Sequence, residues 1–533
     1  MEAELLRAIR ERPDDDEPRL VYADFLSERG DPRGELIVLQ CKLARLDRDD
    51  DERRWMDVRM RALLDAHRAT WRAGLDDIPT LGLGYLERGF VRRVALYEEP
   101  FVAHAESLLA AAPMLEAVYL RGTEWATPPR VPPELVQLRE VQLGSTAFAL
   151  AALASPYVEN IECLQFASEC DGPRIVEALA RVRLPRLRSL DLGGTRAGRH
   201  GVAALLAWPG LAQLTHLDLS NCELDDVGEL VGSPNIGKLE LLSLAANPLG
   251  RRGALAVLTS PQLAALEELR LDQTNAGDAV AYATLPALAT LRYSGNPLDA
   301  DDAVALADAR TLTALERLEL GGANTHAPTV NAAAAAAILA TQNLPALVAI
   351  DLGQNHFGPA ASATMLRDMR AGLRSLGLAY TSLDQRGVGA LASNPSAATL
   401  ERLDISNNPL DSDAVEILAR SPCLRPRFLH LGYTELGDAG VTALVGSPVA
   451  SELRHLDLQG CNLSDVAVEA IARSPYLGHL TRLVLYNNRL TNESVAHLAA
   501  SKRLPPLVEL ALGASAITRE AALTLAAKGH GVR

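Results

Sequence analysis

From residue 187 onward, apolar and polar positions repeat one short pattern, L-x-x-L-x-L-x-x-N, with Cys or Thr sometimes taking the last place. Leu453–His479, LRHLDLQGCNLSDVAVEAIARSPYLGH, aligns without a gap on Leu480–Pro506, LTRLVLYNNRLTNESVAHLAASKRLPP, so the repeat is 27 residues long. The phase restarts at Leu187, Leu214, Leu239, Leu266, Leu288, Leu315, Leu347, Leu373, Leu400, Pro426, Leu453, Leu480 and Leu507. Weaker copies begin at Val91, Leu115, Leu138 and Ile161, which makes about seventeen repeats.

A short strand alternates its side chains between two faces, so the fourth and sixth positions point inward and the third, fifth and seventh outward. The small polar ninth position can bond backbone left unpaired where the chain turns. A helix follows, as in Asp465–Arg473, where Val466, Ala470 and Ile471 are expected to face the strand layer. Ser-Pro pairs at 155, 233, 260, 421, 447 and 474 then end it, because the residue before proline avoids the helical region. Strand, turn, helix and proline recur, which stacks parallel strands. Two repeats depart from the period, with 22 residues from Leu266 and 32 from Leu315. The longer one holds the alanine-rich stretch 331–341, whose small side chains permit close helix packing, and a local change of curvature is expected there.

This spacing resembles the leucine-rich repeat family, in its ribonuclease-inhibitor type, over residues 91–533. The resemblance implies an α/β solenoid with a parallel sheet on the concave face and helices on the convex face. It also implies a binding protein rather than an enzyme.

Residues 1–72 lack the repeat and read as an all-helical N-terminal cap, followed by a linker over 73–90. Helices are expected over 2–12 with Leu5, Leu6 and Ile9 inward, 18–29 with Leu20, Val21, Phe25 and Leu26 inward, 35–46 with Leu36, Leu39 and Leu43 inward, and 51–71. Gly30 stands where a helix end favours positive φ, and Asp31-Pro32 starts the next helix. A polar-faced cap is expected because the first repeat would otherwise leave a sheet edge and an apolar end layer open. The stretch PRLVYADFLSERGDPRGELIVLQ resembles the bacterial repeat-companion domain over residues 2–46, with Phe25 and Leu36 as apolar exchanges at positions where that family favours Trp and Phe. ERGFVRRVAL at 87–96 resembles the segment joining that domain to its repeats. The resemblance implies an architecture and no activity.

Hydrophobic content is 48% but aromatic content only 4%, so the core is layered from aliphatic and alanine side chains. A net charge of −15 argues against broad affinity for nucleic acid or anionic membrane and for a partner protein with a basic or polar surface. The opening MEAELLRAIRERP has no apolar core of a secretory signal, and no apolar run reaches 18 residues, so a cytoplasmic location is expected. Six cysteines without C-x-x-C spacing fit reduced thiols. Phosphate-loop, zincin and nucleophile-elbow motifs are absent from the sequence. Asp24, Glu28, Asp31 and Glu35 read as a solvated or self-paired surface rather than catalytic carboxylates. His430 and His455 face one sheet surface, but no carboxylate is expected at the right depth beside them. Neither catalytic residues, nor a metal, nor a cofactor are therefore expected.

The fifth position runs Asp191, Asp218, Ser243, Arg270, Arg292, Glu319, Asp351, Gly377, Asp404, His430, Asp457 and Val484. Parallel strands about 4.8 Å apart would line these up in one mostly acidic column. Tyr380, Tyr433 and Tyr486 lie at the seventh or eighth position of alternate repeats. The candidate partner-binding residues are Asp351, Asp404, Asp457, Tyr380, Tyr433, Tyr486 and His430. Two structural alternatives stand beside them: the tyrosines pack at strand ends, and the aspartates bond along the sheet. The function expected is a non-enzymatic interaction scaffold gripping a protein on its concave face. The alternative is a regulator of another enzyme, of inhibitor or GTPase-activating type.

Overall fold

The computed structural model describes residues 1–46, 51–83, 86–322, 329–513 and 516–532. Its chain divides into two compact bodies, Met1–Asn247 and Pro248–Arg533. Each is α/β, with parallel strands on one side and helices or 3-10 turns on the other.

Among the described residues the N-terminal body carries seven parallel strands, from Arg93–Tyr97 to Leu241–Ser243, and the C-terminal body ten, from Glu268–Arg270 to Glu509–Ala511. Within each body successive strands pair in strict register, so Leu376 stands beside Leu403, Leu403 beside Leu429 and Leu429 beside Leu456. The fourth and sixth positions of the repeats are buried throughout, as in Leu190 and Leu192, Leu403 and Ile405, and Leu456 and Leu458. The strands are only three residues long in most repeats because the chain turns immediately after the sixth position.

What closes that turn is the ninth position. Asn408 Oδ1 accepts from the backbone N–H groups of Thr381 (3.0 Å) and Leu383 (2.9 Å), and its Nδ2 donates to the carbonyls of Leu378 (2.7 Å) and Ile405 (3.0 Å). Asn247, Asn296, Asn355 and Asn488 repeat this with the turn of the preceding repeat. Each such side chain satisfies buried polar backbone that would otherwise cost about 1–3 kcal/mol per group. On the helix side, serines do related work: Ser421 Oγ donates to Ala392 O (2.7 Å), Ser474 to Val445 O and Ser501 to Ala472 O.

Helix phase departs from expectation in two places. In the helix Asp465–Arg473 the buried residues are Ala467, Val468, Ile471 and Ala472, while Val466 is exposed and Ala470 half-buried. In Glu17–Ser27, Tyr22, Ala23 and Leu26 are buried, and so is Arg19; Val21 faces solvent. Arg19 Nη1 donates to Asp15 O at 2.8 Å, while its buried Nε has no hydrogen-bond partner.

The stretch 73–90, expected to link, carries structure of its own. Thr80–Leu83 pairs antiparallel with Arg93–Tyr97 and so occupies the first sheet edge. Leu86–Glu87 and Phe90–Val91 form a tight hairpin through Arg88 and Gly89, both at positive φ, as a two-residue turn of this hand requires. A Cβ on Gly89 would stand 2.3 Å from Ile37 Cγ1, so only glycine fits there. The edge is thus covered by a strand, not by the helices of 1–72.

Those helices instead clamp the hairpin. Gln40 accepts from Gly89 N (2.7 Å) and donates to Leu86 O, while Arg33 Nε donates to Gly89 O (2.7 Å) and its guanidinium lies over the Phe90 ring. Ile9, Tyr22, Ala23, Leu26, Ile37, Cys41, Phe90 and Met114 make one apolar cluster. Asp31 accepts from Arg33 N (2.8 Å) beside Gly30 at positive φ. Glu35 is gripped by Arg59 through two bonds of 2.6 Å, which hold its carboxyl below the usual range. The charged corner at 28–35 is built into the fold.

Candidate functional site

The outward face of the C-terminal body's sheet holds every candidate. Register places Arg292, Glu319, Asp351, Gly377, Asp404, His430, Asp457 and Val484 side by side in that order. The basic start of this row is spent internally: Arg292 reaches Glu319 at 3.0 Å and Arg270 reaches Glu268 at 2.7 Å. Burial pushes the Glu319 carboxyl up, against the pull of Arg292.

Each aspartate turns one oxygen to the backbone two residues on: Asp351 to Gly353 N (2.8 Å), Asp404 to Ser406 N (3.0 Å) and Asp457 to Gln459 N (2.9 Å). Asp191 and Asp218 do the same with Gly193 and Ser220. The repeated aspartate is therefore a turn cap, and its charge is left on the surface as a by-product. Asp457 is also more enclosed than an outward-pointing aspartate was expected to be, and burial pushes its carboxyl up.

Tyr380, Tyr433 and Tyr486 project from the ends of the strands, between 39 and 50% exposed. Their positions explain a feature that the hydrophobic pattern concealed. The eighth position of the repeat is the left-handed residue of the turn, held by Gly194, Asn221, Gly295, Asn407, Gly460 and Asn487 and, less often, by Ala246, Gln273 and Gln354. Tyr380 (φ 57°) and Tyr433 (φ 56°) occupy it with bulky side chains, for which that region is unfavourable by roughly 1–2 kcal/mol. Tyr433 gains some support, since its ring lies over Gly460 and its hydroxyl meets the Gln459 amide. A depression of about 480 Å³ opens between Tyr380 and the row, lined by Arg317, Glu319, Asp351, Arg402 and Asp404 among others.

At the other end of the row, His430 and His455 lie with ring centres 4.8 Å apart and their planes tilted by 52°. Asp457 stands beside them, its Oδ2 3.8 Å from His430 Nδ1, so the carboxylate that the sequence did not lead us to expect is present. Burial, with His430, Arg482 and Arg402 nearby, pushes the His455 imidazole down to about 3 and keeps it neutral. One further acid escaped the sequence pattern entirely. Glu98, wholly buried in the N-terminal body, accepts from Thr123 N, Trp125 Nε1, Gly144 N and both Ser145 N and Oγ, tying successive repeats together. No sequence signal marks it beyond an acid at the start of a helix.

Among the described residues no helix is long and apolar enough to cross a membrane. No curated protein matches the chain. Among solved structures it is similar to an internalin from Listeria monocytogenes, at 19% identity over 67% of this chain and 82% of that one, with a TM-score of 0.35. It is also similar to TLR13 in a complex with ssRNA13, at 18% identity over 78% of this chain and 67% of that one, with a TM-score of 0.37. Likenesses so distant say nothing of what this chain binds. Residues 212–228 and 451–472 match the Leucine Rich repeat family model, one segment in each body. Both span a repeat strand and the turn after it, and with the in-register sheets they mark the architecture as that of an α/β leucine-rich repeat protein.

Proposed function

We propose that the chain is a non-enzymatic scaffold that binds a partner protein on the outward sheet face of its C-terminal body. The observation that carries this reading is the pair Tyr380 and Tyr433, half-exposed aromatics kept at a left-handed turn position that the other repeats give mainly to glycine or asparagine. A bulky residue in that conformation costs stability that asparagine would not. Tyrosine is a favoured interface anchor, because it buries apolar area and keeps a hydrogen-bonding tip. The partner has a basic or polar surface, matching Asp351, Asp404 and Asp457, and is a protein rather than nucleic acid, in keeping with the net charge of −15.

In this reading the repeats are of the ribonuclease-inhibitor type and residues 1–72 form a repeat-companion domain ahead of a linker. The protein works in the cytoplasm, where its six unpaired cysteines stay reduced.

Affinity capture from the native cell, followed by kinetic binding of the captured partner, tests the proposal. Asp351→Asn with Asp404→Asn removes charge while keeping the turn acceptor, and should slow association and flatten its salt dependence. Tyr433→Ala should raise the off-rate by about tenfold or more if it is an anchor. Wild-type rates in both variants would move the binding surface elsewhere on the molecule.

A further inference from the structure

We propose that His430, His455 and Asp457 form a site for one divalent transition-metal ion of the Zn2+ class on the outward sheet face. The three offer ligand atoms that all lie within 4.8 Å of one another. Topology puts them there: His455 and Asp457 are two residues apart on one strand and so share its face, and His430 stands in register beside Asp457 on the neighbouring strand.

The polar groups of this cluster are incompletely satisfied by one another. His455 Nε2 is shielded from solvent and has no hydrogen-bond partner, an arrangement native proteins avoid unless something else fills the role. His430 Nδ1 and Asp457 Oδ2 face each other at 3.8 Å, too far for a hydrogen bond. Asp457 Oδ1 is meanwhile fixed by Gln459 N, which aims the second oxygen and would orient the carboxylate as an outer-shell partner does. An ion between the three would take one ring nitrogen from each histidine and one oxygen of Asp457.

The donor set selects the ion. Two imidazole nitrogens and one carboxylate suit Zn2+ and its neighbours, whereas Mg2+ and Ca2+ call for oxygen ligands. At metal–ligand lengths of about 2.0–2.1 Å, tetrahedral ligand atoms stand about 3.3 Å apart, so the side chains would close by at most about 1.5 Å through small rotations. His430 and Asp457 side chains are 23 and 22% exposed, which leaves a path for entry. The surrounding charges do not forbid it: Arg482 is paired with Glu509, Arg402 lies over the Phe428 ring, and Asp404 flanks His430 on the other side. Three protein ligands leave a fourth position open to water or to a side chain from outside.

The full-length chain, stripped with chelator and dialysed, can be titrated calorimetrically with Zn2+ and separately with Mg2+. One Zn2+ should bind per chain and Mg2+ should not. His430→Gln and Asp457→Asn should each weaken Zn2+ by at least about tenfold, while His216→Gln in the N-terminal body should leave it unchanged. Co2+ in place of Zn2+ should give visible absorption of a four-coordinate ion, and His455→Gln should alter it. Circular dichroism on each variant separates loss of ligand from loss of fold. Absence of Zn2+ binding, or Zn2+ binding that His430→Gln leaves intact in a folded chain, overturns the site. The result is independent of whether any partner protein binds the same face.

Discussion

The repeats of the two bodies use one scaffold but dress its turns and outward face differently. In the N-terminal body Asp191 and Asp218 cap their turns, and Gly194 and Asn221 hold the left-handed position beside them. In the C-terminal body Asp404 and Asp457 cap their turns in the same way, with Asn407 and Gly460 at the left-handed position, but neighbouring repeats put Tyr380 and Tyr433 there, and His430 and His455 lie close on the sheet with tilted rings. The difference separates what a repeat needs in order to fold from what has been added to it. Acid at the fifth position belongs to the first class, and under the proposed function Tyr380, Tyr433 and His430 belong to the second.

Four measurements can break or sharpen that separation. The largest effect should come from the shared scaffold: Asn408→Ala leaves the N–H groups of Thr381 and Leu383 unpaired in a buried turn, and urea unfolding should register a loss of about 3 kcal/mol or more. Leu456→Ala belongs with it, since truncating a fully buried leucine costs roughly 2–5 kcal/mol. Removing a turn cap should cost less, with Asp218→Ala and Asp404→Ala each losing about 1 kcal/mol; if only one of them does, the aspartates of the two bodies are not equivalent. Smallest of all, and opposite in sign, Tyr380→Asn should leave stability unchanged or raise it by up to about 1 kcal/mol, because asparagine tolerates the left-handed region. A clear loss on that substitution would return Tyr380 to the structural class.

A pH measurement probes the far end of the C-terminal body. His530 is buried, its Nδ1 accepts from Leu507 N at 3.1 Å, and burial pushes its imidazole below the ordinary value. The folded state therefore holds the neutral ring more strongly than the unfolded chain does. Stability from this group is present above the ordinary imidazole pKa and is lost as pH falls through it toward the folded value. Thermal unfolding should show that acid loss, and His530→Gln, which keeps an acceptor, should reduce it.

Much of the sheet was legible because a period of two with leucine at both inward positions leaves no second phase to choose. The nine-residue helices were less so. With 3.6 residues per turn, a shift of one residue swings the apolar stripe by about 100°, and this moved Val466 to the surface and Ala467 beneath it. Val21 went the same way, displaced by Tyr22, whose ring stacks on Phe90. The edge strand Thr80–Leu83 was invisible because TLGL carries no repeat and its partner lies in the strand it covers. In the candidate site, positions along the chain predicted the row but not what its members touch. An aspartate that bonds its own backbone two residues on looks, in sequence, like one that simply faces water. Asp457 was likewise read as part of an acidic column, when its nearest outward neighbours are two imidazoles.

The asparagines have a consequence for how such a chain comes into being. Asn408 serves the turn at Thr381 and Leu383, and Asn488 the turn at Cys461 and Leu463, so each reaches back toward the repeat already made. On a ribosome, where the N-terminal side emerges first, the newest of these turns waits with open N–H groups until the following repeat arrives to fasten it. Growth is then a series of latches closed from behind, and nearest-neighbour coupling acquires a direction. Cutting the array on the C-terminal side of a turn leaves that turn unlatched, whereas a cut on its N-terminal side does not.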